Sequence, residues 1–274
     1  MTAERSLVVS GLSLSYDDRE VVRDLSLTVP PGQVTVVVGA NACGKSTLLR
    51  GIARLLAPTS GAVLLDGRAV HRMPTREVAE VMGILPQNPS APGGITVADL
   101  VGRGRYPHQG WLRRWTPDDE DAVARALAWT GTEELADRPV DELSGGQRQR
   151  VWIAMALAQE TEVLLLDEPT TFLDLAHQVE VLDLLTDLNH RGTTVVLVLH
   201  DLNLACRYAD HVVAMRDGAV VAEGRPADVI TPETVRAVYG LECQVVPDPV
   251  CGTPMVVPLG RHHCGTARRG PSAT

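Results

Sequence analysis

Lysine is almost missing from this chain of 274 residues: Lys45 is the one lysine among 25 lysines and arginines. Aromatic side chains are scarce too, at 3%, with a single phenylalanine, Phe172. There is no excess of positive charge. The net charge of -9 argues against nucleic acid as a partner and against polybasic attachment to anionic lipid. No apolar run approaches the length that spans a bilayer, and the opening Met1-Thr2-Ala3-Glu4-Arg5 lacks the build of a signal peptide, so a cytoplasmic chain is expected. Paired C-x-x-C spacing is absent. Cys43, Cys206, Cys243, Cys251 and Cys264 are odd in number and scattered, which makes reduced thiols the default. Cys251 with His262, His263 and Cys264 offers a zinc-ligand set on paper, but the Gly and Pro around them near the end of the chain argue against a built site.

What is present begins with composition. A hydrophobic fraction of 45% beside 22% charged residues is that of a folded soluble protein, and the length allows one large domain or two small ones. Within it, Gly39-Ala40-Asn41-Ala42-Cys43-Gly44-Lys45-Ser46-Thr47 follows the apolar run Val34 to Val38 and opens the helical pattern Leu48 to Leu56. A G-x-x-x-x-G-K-[ST] match between a strand and a helix is the context in which it means a phosphate loop. Successive backbone N–H groups there form an anion nest, and the helix beginning near Gly44 adds the positive end of its dipole. Lys45 reaches the β- and γ-phosphates as a point charge, and the Ser46 hydroxyl is placed to ligate Mg²⁺. A composition that otherwise uses arginine keeps its one lysine where a slim ammonium fits and a guanidinium fork does not.

Upstream, Leu7 to Ser15 and Leu25 to Val29 alternate apolar and polar residues and predict a two-strand antiparallel start, with Tyr16 at its end. An aromatic there is either an edge residue or a platform for a base. Ala62 to Leu65 reads as a further strand, and Glu77 to Leu85 as a helix and short strand leading to Gln87. From Asn88 to Glu142 apolar positions recur at helical spacing, which marks a helical insertion. In it Arg103, Arg105, Arg113 and Arg114 interleave with Tyr106, Trp111 and Trp115, and in an acidic chain this patch reads as a protein-docking face. Ser144-Gly145-Gly146-Gln147 then precedes an apolar helix from Val151 to Leu157, either as a helix cap or as a second anion-holding terminus. Val163 to Leu166 is a continuous apolar run of a strand buried on both faces, and it ends in Asp167-Glu168-Pro169. Adjacent acids at the C-terminal end of a buried strand lie where α/β sheets bind ligands. Asp167 can hold Mg²⁺, and Glu168 can orient or deprotonate water. The strand Thr194 to Leu199 delivers His200 to the same edge, a place for a phosphate sensor. Two more strands, Val212 to Arg216 and Ala219 to Glu223, and short helices around Ala227 and Val235 complete the pattern. The last dozen residues read as disordered, and no internal repeat is visible.

Phosphate loop, Gln87, Leu-Ser-Gly-Gly-Gln, apolar strand with Asp-Glu, the Asp174 loop and His200 stand in one order. That order resembles the nucleotide-binding subunit of ATP-binding cassette transporters, from Leu7 to about Leu259. Arg105-Tyr106-Pro107-His108, the run His200-Asp201-Leu202-Asn203-Leu204-Ala205-Cys206, and Gly252-Thr253-Pro254-Met255 are similar to the import ATPases for ferric siderophores, the ferric-enterobactin type, in a group that also serves haem and vitamin B12. The resemblance implies an α/β fold with a RecA-like P-loop core, an N-terminal antiparallel β subdomain and an inserted α-helical subdomain. Its boundaries are one domain over 1–245, with core 1–87 and 162–245 and helical subdomain 88–161, then an extension over 246–274.

It also implies roles. Tyr16 stacks on adenine; Gly39, Asn41, Ala42, Cys43, Gly44, Lys45 and Thr47 grip the phosphates; Ser46, Gln87 and Asp167 complete the Mg²⁺ shell. Glu168 acts on water and His200 holds the γ-phosphate. Ser144, Gly145, Gly146 and Gln147 meet the ATP bound to a second copy, and Asp174 signals between the two sites of an isologous dimer. The insertion, hinged at Gln87, cups a membrane permease at the cytoplasmic face, with a substrate-binding protein as an indirect partner. A soluble cassette ATPase acting on ribosomes or DNA is the rival; one cassette and an acidic balance speak against it.

Two departures carry expectations. Ala40 stands where the family often has Pro, and Ala42 where it commonly has Gly, so Ala42 is expected at negative φ, since a Cβ is disfavoured at positive φ. Cys43 is a thiol at a helix N-terminus, a place that can lower a thiol pKa, and the sequence leaves open whether it makes the enzyme sensitive to oxidants.

Overall fold

The computed structural model describes residues 5–109, 115–171 and 173–260. The alternating segments form β1 (Leu7–Tyr16) and β2 (Arg19–Val29), paired antiparallel with Leu7 opposite Val29. After β3 (Val34–Gly39) and helix α1 (Lys45–Ile52), β4 (Ser60–Leu65) and the two-residue β5 (Arg68–Ala69) join them in a sheet ordered β2-β1-β4-β5. Helix α2 (Thr75–Val81) runs directly into β6 (Met82–Leu85).

The insertion is helical as its spacing predicts: α3 (Val97–Gly102), α4 (Pro117–Trp129) and α5 (Gly145–Ala158). The chain then alternates through β7 (Val163–Asp167), α6 (Leu175–His190), β8 (Thr194–Val198), α7 (Leu202–Tyr208), β9 (His211–Arg216) and β10 (Ala219–Gly224). Helices α8 (Pro226–Val229) and α9 (Pro232–Tyr239) precede a hairpin of β11 (Cys243–Pro247) and β12 (Pro254–Pro258).

The central sheet runs β10-β9-β3-β8-β7-β6, parallel except for β10, which pairs antiparallel with β9. Its apolar runs are continuous because both faces are covered, and the period of two divides each strand between two cores. Val36, Leu164, Leu166, Val195 and Leu197 face a core shared with α3, α5 and α6. Val37, Val163, Leu165, Val196 and Val198 face one shared with α1 and the antiparallel sheet. The helical insertion therefore joins the main body through apolar packing, with Leu85, Val97 and Trp152 in one cluster. Among the described residues, no helix is long and apolar enough to cross a membrane.

Two sequence expectations need correction. The boundary at 245 falls inside β11, whose partner β12 docks on α7: Asn203 Oδ1 accepts the Val256 N–H at 2.8 Å, and Arg207 pairs with Asp248 at 2.7 Å. The hairpin is one unit packed on the core, and Pro residues at its ends disguise it as an irregular extension. Arg105 does not belong to a docking face. It is buried, and it donates to Asp119 at 2.9 Å, Glu160 at 2.8 Å and the Ala158 carbonyl at 2.8 Å, which ties α4 to the end of α5. Tyr106 and Trp115 are exposed beside it. Trp111, Arg113, Arg114, Phe172, His262, His263 and Cys264 lie outside the described residues.

Candidate functional site

Strand β3 ends at Gly39 because nothing larger fits there: a Cβ would stand 2.4 Å from the Met215 carbonyl oxygen and 2.7 Å from Cys43 Sγ. The chain then reverses over Ala40 to Cys43, closed by the Cys43 N–H donating to Ala40 O at 3.3 Å. Gly44 at φ 106 turns it into α1.

Within this turn Ala42 has φ 61, against the expectation of negative φ. A turn of this kind, with positive φ at its third residue, is what directs the backbone N–H groups inward. The curvature of the nest overrides the Cβ preference, at a cost of about 1–2 kcal/mol.

The Lys45 ammonium is buried and donates to Gly39 O at 2.9 Å and Ala40 O at 3.0 Å, loop carbonyls with which a phosphate would compete. Ser46 donates its hydroxyl to Asp167 Oδ1 at 2.8 Å, so β7 and α1 bring together the two groups expected at the metal. Burial raises the pKa of Asp167; the Ser46 hydrogen bond opposes this, and the charge of Glu168 adds to it. A bound cation would reverse the balance.

Glu168 follows at φ 55, a strained conformation at the end of β7. Its Oε1 meets His200 Nε2 at 2.6 Å; its Oε2 accepts from Gln87 Nε2 at 2.5 Å and from Thr171 Oγ1 at 3.1 Å. Three expected residues, Gln87, Glu168 and His200, thus meet at one point.

Asn41, Ala42, Gly44, Lys45, Ser46 and Thr47 line a cleft of about 570 Å³ together with Gln87, Glu168, His200 and, from β2, Arg19 and Val21. Cys43 and Tyr16 are not part of this lining. Cys43 points into the apolar core, where burial raises its thiol pKa more than Lys45 lowers it. Desolvation thus outweighs the lowering that a helix N-terminus can give a thiol. Tyr16 is half-exposed beyond the cleft, and its hydroxyl accepts from Arg50 at 3.1 Å.

A separate place holds Ser144, Gly145, Gly146 and Gln147, at the start of α5. Ser144 Oγ accepts the Gln147 N–H at 3.3 Å, and the Gln147 side chain accepts the Ser144 N–H at 3.1 Å, a capping box. Neither glycine has positive φ; a methyl on Gly145 would meet nothing, and one on Gly146 would meet His177 and Leu173 at an ordinary 3.7 Å. Asp174 caps α6 alongside and accepts from His177 N–H at 3.0 Å and from its ring at 2.7 Å. The backbone N–H and ring of His177 hold the Asp174 carboxyl below its ordinary range.

Sequence reasoning missed Arg19, Thr171 and Gln149. Gln149 donates to the Pro169 carbonyl at 2.8 Å and links α5 to the turn after Glu168. The placements of Arg19 and Gln149 depend on distant segments, whereas Thr171 meets Glu168 within one turn, three residues on.

Comparison with known proteins places the ABC transporter family model on residues 22–171. YusV of Bacillus subtilis (strain 168), named a probable siderophore transport system ATP-binding protein, is 58% identical over 92% of this chain and 92% of its own length. The ferric enterobactin transport ATP-binding protein FepC of Escherichia coli (strain K12) is 52% identical over 93% of this chain and 95% of its own. Among solved structures, the dimeric ATP-binding cassette MJ0796 in a post-hydrolysis state bound to ADP and Pi matches with a TM-score of 0.71 and 26% identity, over 80% of this chain and 98% of that one.

Proposed function

This chain belongs to the ABC transporter family as an ATP-binding subunit that hydrolyses ATP, and from that premise we propose that it powers an importer of iron(III)–siderophore complexes. The observation that carries the chemistry is one cleft lined by the phosphate loop and by the cluster Glu168–His200–Gln87, with Ser46 of that loop bonded to Asp167. The cargo rests on similarity along more than nine-tenths of the chain to proteins named for siderophores.

ATP lies with its phosphates on the amides of Gly39 to Thr47, gripped by Lys45, and with its base toward Tyr16. The residues suit Mg²⁺: a hydroxyl and a carboxylate 2.8 Å apart, plus the carboxamide oxygen of Gln87, are hard oxygen donors. When bound, Mg²⁺ neutralises charge on the β- and γ-phosphates. Glu168 accepts the proton of the attacking water, and His200 turns from Glu168 to the γ-phosphate. Positioning and charge neutralisation supply the rate.

Ser144, Gly145, Gly146 and Gln147 complete the site of a second copy. The two glycines have no reason within their own chain, which supports close approach by a group from outside it. A partner seated on Gly146 also meets His177 and thus Asp174, placed to report occupancy between the sites. The homodimer acts at the cytoplasmic face of the membrane. There the helical subdomain engages the permease, which is served by a substrate-binding protein, and nucleic acid has no part.

Cells lacking this chain should regain uptake of labelled ferric siderophores with the wild type and not with Glu168→Gln. Wild-type complementation that leaves uptake of every ferric siderophore unchanged would overturn the cargo.

A further inference from the structure

The carboxylate of Glu168 is held by three donors of different kinds. His200 occupies Oε1, while Gln87 and Thr171 share Oε2. Two of the three have other duties in the proposed reaction, since His200 goes to the γ-phosphate and Gln87 to the metal. Thr171 has none. It does not line the phosphate cleft but faces the neighbouring one beside Gln149 and Trp152.

The local backbone fixes where its hydroxyl points. The Thr171 N–H donates to Glu168 O at 3.2 Å, so residues 168–171 form a closed turn. Pro169 restricts that turn, and Gln149 holds its carbonyl at 2.8 Å. A β-branched side chain has few χ1 choices, and here the hydroxyl meets the carboxylate three residues back. Glu168 itself sits at φ 55, a conformation that persists only when its surroundings hold it.

We propose that Thr171 is a positioning residue for ATP hydrolysis: its hydroxyl keeps Oε2 of Glu168 in place so that Oε1, once His200 turns away, faces the attacking water. This rests on the reading of Glu168 as the proton acceptor. One oxygen is anchored and the other is free to take the proton, so the water needs a single approach line.

The test is steady-state ATP hydrolysis by the full chain carrying Thr171→Val, Thr171→Ser, Thr171→Ala or Glu168→Gln, with thermal midpoints measured alongside. Thr171→Val, which keeps shape and loses the hydroxyl, should lower kcat by about tenfold to a hundredfold, the range for losing one hydrogen bond to a charged group, with KM for ATP unchanged. Thr171→Ser should restore most of kcat, and Thr171→Ala should follow Thr171→Val, which keeps the comparison open if Val does not fold. An inactive Glu168→Gln beside a fully active Thr171→Val overturns the positioning role alone. So does equal impairment of the Ser and Val variants, or a rise in KM that accounts for the whole loss. If Glu168→Gln turns over ATP at the wild-type rate, the proton-acceptor reading fails, and the role of Thr171 with it.

Discussion

Two helix N-termini in this molecule look alike in sequence and differ in how they are built. At the start of α1, every unusual residue answers to a neighbour in its own chain: Gly39 to the Met215 carbonyl, Lys45 to two loop carbonyls, Ser46 to Asp167. At the start of α5, Gly145 and Gly146 answer to nothing inside the chain, and the cap is satisfied by Ser144 and Gln147 alone. The first terminus is shaped by contacts within its own fold, with its backbone curled into a nest. The second is finished as a helix and left bare on its outer side, a form that makes sense for a surface completed by another molecule.

The comparison breaks most visibly by adding one methyl to each. Gly39→Ala should destabilise the fold by about 1–3 kcal/mol, because backbone must move to admit the Cβ, and should abolish ATP binding with it. Gly146→Ala should leave the thermal midpoint unchanged or slightly raised, since alanine favours a helix by up to about 1 kcal/mol. Its hydrolysis should nevertheless fall at least about tenfold, because close approach from outside is lost. Equal loss of stability in both variants would erase the distinction. A smaller effect sharpens it: Ala42→Gly relieves a strained φ but loosens the unfolded chain, so stability should change by less than about 1 kcal/mol, with ATP binding retained. Differential scanning calorimetry with an ATP titration reads all three variants.

The smallest effect lies at the hairpin. Asp248 accepts the N–H of Val250 at 2.8 Å and pairs with Arg207 at 2.7 Å, and these hold its pKa below the ordinary range, the Val250 N–H first. A depressed carboxyl contributes its full stability above the ordinary pKa of about 3.9, and loses it as pH falls through the depressed value. Amide exchange in β11 and β12 should stay protected at pH 5 and rise only below about pH 3.9. Loosening already between pH 6 and pH 5 would assign the contact to another group.

Much of this was legible in one dimension, and the reasons are physical. A phosphate nest needs small residues at fixed offsets, and a strand covered on both faces needs an unbroken apolar run. The places of Lys45 at the start of α1 and Asp167 at the end of β7, and the core of Val36, Leu164 and Val195, could therefore be read directly. What escaped depends on distant neighbours. Arg105 is a surface residue by local pattern and a buried one because Asp119 and Glu160 meet it from other segments. Cys43 obeys a helix-terminus rule until burial outweighs it, and Ala42 obeys the Cβ rule until the nest imposes its curvature. The hairpin of β11 and β12 hides behind Pro247, Pro254 and Pro258, whose missing donors suit an edge ribbon.

The most direct measurement of the central claim is sedimentation velocity of Glu168→Gln with and without ATP and Mg²⁺. A monomer that becomes a dimer only with ATP and Mg²⁺, and that fails to do so when Gly146→Ala is added, is the expected result. A protein that stays monomeric at saturating ATP, or dimerises equally without it, would contradict a site completed by a second copy.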